Sequence, residues 1–144
     1  MRSSSWSVAR RLAAAALLVA MSGCGRGLYP VRGTVTFDDG SSVDRGLVVF
    51  ESADGSMMAR GMIQPGGGYE LSTQKPGDGL KPGRYRVLIN PLDLSDVPDE
   101  QKLLPFDIKY TRFQTSGIEV EVKSGPNQIP LRVTRPLTGS RRVN

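Results

Sequence analysis

The stretch GIEVEVK, residues 117–123, shows the clearest strand pattern in the sequence. Three β-branched apolar residues, beginning with Ile118, alternate with three charged residues, beginning with Glu119. Successive side chains of a β-strand point to opposite faces of the sheet, so this alternation puts the apolar residues on one face. The stretch therefore predicts a strand with one face on a core and the other in solvent.

Similar runs occur along the rest of the chain, and turn residues separate them. In chain order the predicted strands are VRGTVTF (31–37), LVVFES (47–52), MMARGMIQ (57–64), YELST (69–73), RYRVLIN (84–90), GIEVEVK (117–123) and QIPLRVT (128–134). Seven short strands with turn signals between them are typical of an antiparallel sandwich. We therefore predict an all-β fold, a seven-strand antiparallel β-sandwich over residues 31–135. Pro130 lies within the last run, where it predicts an edge strand or a bulge.

Residues 91–117 form the one long segment without a strand pattern. SDVPDEQKLL (95–104) predicts a short helical turn that begins near Pro98, and PFDIKYTRFQTSG (105–117) predicts a return to the sheet. The last nine residues, PLTGSRRVN (136–144), predict a flexible tail.

Three motifs in this order resemble the carboxypeptidase-regulatory-like or transthyretin-like domains of bacterial surface lipoproteins. They are RGTVTFDDGSSVDRGLVVFES (32–52), GGGYELST (66–73) and KPGDGLKPGRYRVLI (75–89). The positions that carry the resemblance are Gly33, Val35, Phe37, Gly46, Val49, Gly68, Tyr69, Leu71, Pro82, Gly83, Tyr85 and Val87. The resemblance covers roughly residues 29–134. It implies a small Ig-like, prealbumin-type β-sandwich that serves as an accessory or scaffold domain without catalytic residues.

The N-terminus has the layout of a secretory signal peptide. A positively charged start precedes an apolar run from Leu12 to Met21, and small residues follow before Cys24. The run is about half of the roughly 20 residues that a membrane-spanning helix needs. MSGC (21–24) resembles the bacterial lipobox, which implies removal of residues 1–23 and lipidation of Cys24. The alternative is cleavage by an ordinary signal peptidase, which leaves a soluble protein with a free thiol.

Composition narrows the possible functions further. Residues 1–23 contain three arginines and no acidic residue, so their removal lowers the net charge from +5 to +2, too little to indicate a nucleic-acid partner. Residues 24–30 then form a short tether to one domain. The chain has no histidine, so a Ser-His-Asp triad and a histidine-ligated metal site are excluded. We expect no enzymatic activity, no metal and no cofactor.

Candidate binding residues lie in the long segment 91–117, because loops of that length are functional or disordered. They are Asp93, Asp96, Asp99, Phe106, Tyr110 and Phe113. The aspartates lie with Asp38, Asp39, Asp44, Glu100 and Asp107 at one predicted end of the sandwich. Converging carboxylates would suit calcium, and the alternative is that each one caps a turn. The aromatic residues would stack on a sugar or anchor a protein, and the alternative, which we favour, is packing of the loop onto the sandwich rim.

A methionine cluster at positions 57, 58 and 62 is a further candidate. Met-rich surfaces bind copper(I) or adaptable protein partners. Met58 and Met62 share strand parity and Met57 does not, so no single face displays all three. Packing is the favoured interpretation.

These observations together predict a non-catalytic, lipid-anchored protein of the bacterial cell envelope. It would be exported, held at a membrane through Cys24, and act as a structural or protein-interaction module for an unidentified envelope protein or glycan. One alternative is a ligand-binding module that takes a glycan, a peptide or calcium through residues 91–117. A less favoured one is a hydrolase, which would need two carboxylates at a fixed separation in a cleft.

Overall fold

The structure is a computed structural model that describes residues 27–91 and 104–136. Its strands are β1 (Val31–Phe37), β2 (Gly46–Ser52), β3 (Met58–Ile63), β4 (Gly68–Glu70), β5 (Gly83–Asn90), β6 (Ile118–Val122), β7 (Asn127–Gln128) and β8 (Leu131–Val133). One short α-helix, α1 (Phe113–Ser116), follows a 3₁₀ turn at Ile108–Thr111. The prediction of an all-β protein is confirmed at this level.

One four-stranded sheet, here called the second sheet, has the order β3-β2-β5-β6 and is antiparallel throughout. Its two central strands carry the longest apolar runs, because both of their faces are covered. On the inner face Val48 pairs with Ile89, and on the outer face Val49 pairs with Leu88. All four side chains are buried.

The first sheet is built around β1 and departs from the predicted antiparallel pattern. β1 pairs antiparallel with β4 but parallel with both β7 and β8. The run predicted as one strand over 128–134 is therefore two short strands. Pro130 separates them, because proline has no N–H to donate to the ladder, while the preceding Ile129 still donates its N–H to the Arg32 carbonyl (2.8 Å).

A single hydrophobic core joins the two sheets. β1 contributes Val31, Val35 and Phe37 from the first sheet, and Val48 and Phe50 of β2 meet them from the second. The rings of Phe50 and Tyr69 lie 6.2 Å apart, a separation at which tilted aromatic pairs attract. The alternation seen in the sequence is thus the alternation of buried and exposed faces.

Residues 105–117, predicted to return the chain to the sheet, contain two short helical turns and lead into β6. The Asp107 side chain accepts a hydrogen bond from the Lys109 N–H (2.9 Å) and so caps the 3₁₀ turn. Gly117, at φ 66°, ends α1 in the left-handed conformation that favours glycine. The Asp107 N–H also donates to the Thr134 carbonyl (3.0 Å), which ties the segment to the end of β8.

Several sequence predictions fall on residues that the structure does not describe. These are the signal peptide (1–23), the lipidation site Cys24, the helical turn near Pro98 and tail residues 137–144. Tyr29 belongs to the predicted tether and is described. It pairs with Leu80 through two backbone hydrogen bonds, Tyr29 N–H to Leu80 O (2.8 Å) and Leu80 N–H to Tyr29 O (3.0 Å).

Candidate functional site

The loops lie at two opposite ends of the domain. One, which we call the Lys81 end, is formed by residues 53–57, 71–82 and 123–126, beside the starts of β1, β3 and β5. The other, the Asp39 end, is formed by residues 38–45 and 64–67, beside the ends of those three strands. This sorting agrees with the strand directions, because consecutive antiparallel strands alternate ends.

A cleft of about 590 Å³ opens at the Lys81 end between the β2–β3 turn and the start of β5. Its lining includes Ser52, Asp54, Ser56, Lys81, Arg84 and Tyr85. The Tyr85 hydroxyl donates to the Lys81 carbonyl (2.8 Å), which fixes the β5 side of the cleft against the preceding loop. Lys81 and Arg84 are exposed, so the lining combines fixed polar groups with two accessible cations.

Asp54 organises the other wall of this cleft. Its Oδ1 accepts hydrogen bonds from the Ser52 hydroxyl (2.6 Å), the Ser56 N–H (3.0 Å) and the Ser56 hydroxyl (2.7 Å). These donors favour the ionised carboxylate and lower the pKa of Asp54 to about 2, with the Ser52 hydroxyl the largest contributor. Burial raises the pKa of Tyr85 above its ordinary value, and the nearby Asp54 charge adds to that effect. At neutral pH the cleft holds a carboxylate beside a neutral phenol.

The hydrogen bonds of Asp54 predict an acid-dependent loss of stability. A carboxylate with a lowered pKa stabilises the fold above its unfolded-state pKa, near 3.8, and that contribution disappears as the pH falls toward 2. We expect the urea midpoint of Asp54→Asn to lie below that of the native chain at pH 6 and to approach it between about pH 4 and 2. The Ser52→Ala/Ser56→Ala variant, which removes the two hydroxyl donors and keeps the Ser56 N–H, should show a change in the same direction. Parallel curves from pH 6 to pH 2 would contradict this interpretation of the turn.

Two carboxylates at the Asp39 end accept hydrogen bonds from backbone N–H groups. The Asp39 side chain accepts from the N–H and hydroxyl of Ser41, and these two donors, with Arg135, lower its pKa to about 2. Asp44 accepts from the Gly66 N–H (2.9 Å), which links two loops. Among residues 27–91 and 104–136, no group of three or more carboxylate, cysteine or histidine side chains is arranged to hold a metal ion. Asp39 and Asp107 therefore have the turn-capping role that the sequence left open beside calcium binding, whereas Asp44 joins two loops.

Two of the three aromatic candidates are in the core. Phe106 is 0% exposed and Tyr110 is 5% exposed, and their rings meet edge to face at 6.5 Å. The Tyr110 hydroxyl accepts a hydrogen bond from the Thr134 N–H (3.2 Å), so it is tied to the end of β8. Neither ring is available to stack on a ligand, and both pack the segment onto the sheets. Asp93, Asp96 and Asp99 lie outside the described residues.

Phe113 is partly exposed and has a different environment. The Arg86 guanidinium lies over its ring, 5.8 Å from the centroid, on the outer face of the second sheet. Arg86 also forms an ion pair with Glu51 across the β2–β5 ladder, with 2.7 Å between Nη2 and Oε2. A cation held between a ring and a carboxylate fixes α1 to the sheet. The Arg86 Nε is buried and has no hydrogen-bond partner among the described residues.

The methionines divide between the core and the surface. Met57 packs against the core beside Tyr85, whereas Met58 and Met62 on β3 are each 45% exposed on the outer face. Packing therefore explains Met57, but the expected packing of Met58 and Met62 is wrong. β3 is the edge strand of its sheet, so its outer side chains have neighbours on one side only.

Comparisons of the chain with protein-family models, with curated proteins and with solved structures found no match. Within the described ranges, no helix has the length and apolar character needed to cross a membrane. The function must therefore be inferred from the residues and geometry of this chain alone.

Proposed function

We propose that this chain is an exported, lipid-anchored protein of the bacterial cell envelope, held at a membrane through Cys24. In this proposal it is a non-catalytic module whose β-sandwich, of the transthyretin-like or carboxypeptidase-regulatory-like kind, serves a structural or protein-interaction role. The observation that carries the proposal is the sequence from Leu12 to Cys24, in which an apolar run, small residues and a single cysteine follow one another. A lone cysteine in an exported chain requires an explanation, and lipidation supplies one.

The domain after the tether fits a supporting role better than a catalytic one. Asp39, Asp54 and Asp78 accept hydrogen bonds within turns, and the Asp39 and Asp54 pKa values near 2 keep both of these groups ionised at neutral pH. A general acid needs a raised pKa instead. Its two buried aromatic candidates pack the core. A shared core between two sheets and the order of the three sequence motifs support the proposed sandwich family.

Anchoring also fits the energetics of acyl chains. Each buried CH₂ contributes ~0.8 kcal/mol, so two or three chains on one cysteine hold a protein firmly while one chain does not. We therefore expect the mature chain to leave the membrane fraction with detergent but not with high salt or carbonate.

The test is the intact mass of the N-terminal peptide of the mature protein, purified from membranes of an expressing bacterium. We expect a peptide that begins at Cys24 and carries the added mass of a diacylglyceryl group and an amide-linked acyl chain. Cys24→Ser should abolish the added mass and shift the protein out of the membrane fraction, whereas Ser22→Ala, which keeps a small residue before the cysteine, should behave as the native chain does. An unmodified N-terminus in the soluble fraction would overturn the proposal.

A further inference from the structure

The backbone pairing of Tyr29 determines where the chain enters the domain. Tyr29 exchanges two hydrogen bonds with Leu80, and the neighbouring Gly79 approaches the Tyr29 carbonyl so closely that a side chain there would collide with it. Tyr29 is thereby fixed to the loop at the Lys81 end. β1 begins two residues after Tyr29 and runs toward the Asp39 end, so Tyr29 lies at the opposite end of the domain.

The connection between Cys24 and this fixed point is short. Five residues at about 3.5 Å each span at most roughly 18 Å when fully extended. Strand β1, with seven residues at about 3.3 Å each, is itself roughly 23 Å long. A lipid on Cys24 would therefore keep the Lys81 end closer to the membrane than the Asp39 end.

The charges at the Lys81 end suit such a surface. Its exposed cations are Lys75, Lys81, Arg84 and Lys123. Asp54 and Asp78 lie on the loops of this end, and Glu121 lies near the end of β6. Glu70, whose carboxylate lies beside Gly77, is paired with Arg32. Asp78 accepts from the backbone N–H groups of its own loop, and Glu121 stands opposite Arg84 in the β5–β6 register. The four cations and the three carboxylates Asp54, Asp78 and Glu121 leave a net charge of +1, and the three lysines are exposed where an anionic surface attracts them within a Debye length.

From this geometry we propose that the Lys81 end is a membrane-facing surface that contacts anionic phospholipid headgroups, with Lys81 and Lys123 among the contacting groups. The inference rests on the proposed anchoring at Cys24, because without an anchor nothing brings this end to a membrane. The Asp39 end then points away from the lipid and is the end presented to other envelope components.

The chain offers a direct test, because its one cysteine is Cys24 and its one tryptophan, Trp6, lies in the predicted signal peptide. The mature chain, residues 24–144, is coupled through the Cys24 thiol to a maleimide lipid in vesicles. A single reporter tryptophan is placed at an exposed position of either end, Ala53→Trp at the Lys81 end or Gln64→Trp at the Asp39 end. Quenching by a lipid with a nitroxide on its headgroup then reports the distance of each end from the surface.

We expect the tryptophan at position 53 to be quenched several-fold more than the one at position 64 in vesicles of phosphatidylcholine and phosphatidylglycerol. Lys81→Gln/Lys123→Gln should reduce this difference at least twofold in these vesicles, as should high salt, and leave it unchanged in phosphatidylcholine alone. The matched control is Arg45→Gln/Arg132→Gln, which removes the same charge from exposed positions toward the Asp39 end and should have no effect. Thermal unfolding followed by circular dichroism confirms that each variant is folded.

Equal quenching at the two positions, stronger quenching at position 64, or equal effects of the two charge pairs would overturn the proposal. Because coupling to the maleimide lipid imposes the anchor, these outcomes do not depend on native lipidation. Failure of the anchoring proposal would appear separately, as an unmodified Cys24 in the mass measurement.

Discussion

Replacing Gly33 with alanine should lower the free energy of unfolding by about 3 kcal/mol or leave the chain unfolded, because the added methyl group has no space. A Cβ at this position would overlap the Ile129 carbonyl oxygen. It would also lie 2.8 Å from the Ile129 carbonyl carbon and 2.7 Å from the Tyr69 hydroxyl oxygen. The Tyr69 hydroxyl itself donates to the Ile129 carbonyl (2.7 Å), so all three groups are held together. Relief of the collision would require β1 to separate from the segment between β7 and β8.

Urea denaturation of the native chain and of Gly33→Ala measures this effect, and Gly68→Ala is the matched control. Gly68 lies on β4 opposite Thr34, one register position from Gly33, and no atom lies within 4 Å of the Cβ that alanine would add. We expect the control to change the free energy of unfolding by no more than about 0.5 kcal/mol. An equally small effect of Gly33→Ala would show that the Ile129 carbonyl does not lie against Gly33 as described.

Replacement of Phe106 with alanine should cost about 3–5 kcal/mol, the usual range when a fully buried aromatic side chain is removed. Phe106 has no exposed surface and packs edge to face on Tyr110, which is itself tied to Thr134. The cavity would therefore loosen the contact between the 3₁₀ turn and the end of β8, and limited proteolysis should cut the segment 104–117 first.

Phe113→Ala removes the partly exposed aromatic side chain of the same segment and serves as the comparison for Phe106→Ala. Phe113 is partly exposed and contacts the Arg86 guanidinium, so we expect its loss to cost about 1 kcal/mol. Chemical denaturation of both variants gives the comparison. If Phe106→Ala left stability unchanged, its ring would not be part of the core and a ligand-binding role would again deserve a test.

The sequence located the five longest strands, β1, β2, β3, β5 and β6, to within one residue at each end. The run at 31–37 is β1 to the residue, and the run at 117–123 contains β6, because each has one face on the core and one outside. The YELST run shortens to a three-residue strand, β4. Beyond it the chain follows the Asp78 turn, in which the carboxylate holds the N–H groups of Thr73 and Lys75.

Features that depend on distant partners could not be predicted locally. Parallel pairing of β7 and β8 with β1 depends on where the chain returns after β6, and no spacing near Pro130 encodes that. A helix of four residues such as α1 is far below the length that is stable alone. It exists here because Phe113 and Arg86 meet, and because Phe106 and Tyr110 fix the preceding turn.

The candidate site also has features that neighbouring residues predict and features that depend on distant residues. The turn-capping role of aspartates such as Asp39 could be anticipated from the residues beside them, because their donors lie two positions away. The cleft at the Lys81 end could not, since it joins the β2–β3 turn to residues near Lys81 that are far away in sequence. The one local indication of the cleft was Tyr85, which the strand pattern turns inward. A buried tyrosine hydroxyl needs a hydrogen-bond partner, and here it donates to the Lys81 carbonyl.

The parallel pairing of β1 with β8 also determines the order in which the protein can fold. Val35, near the start of the domain, pairs with Leu131, near its end, so almost the whole domain must be closed into a loop before this ladder forms. Contacts between such distant residues slow folding, because the loss of chain entropy precedes the gain from pairing. During synthesis the first sheet stays incomplete until its last strand has emerged. For a chain that is exported, as we propose, the native first sheet would then form only after β8 is available to pair with β1.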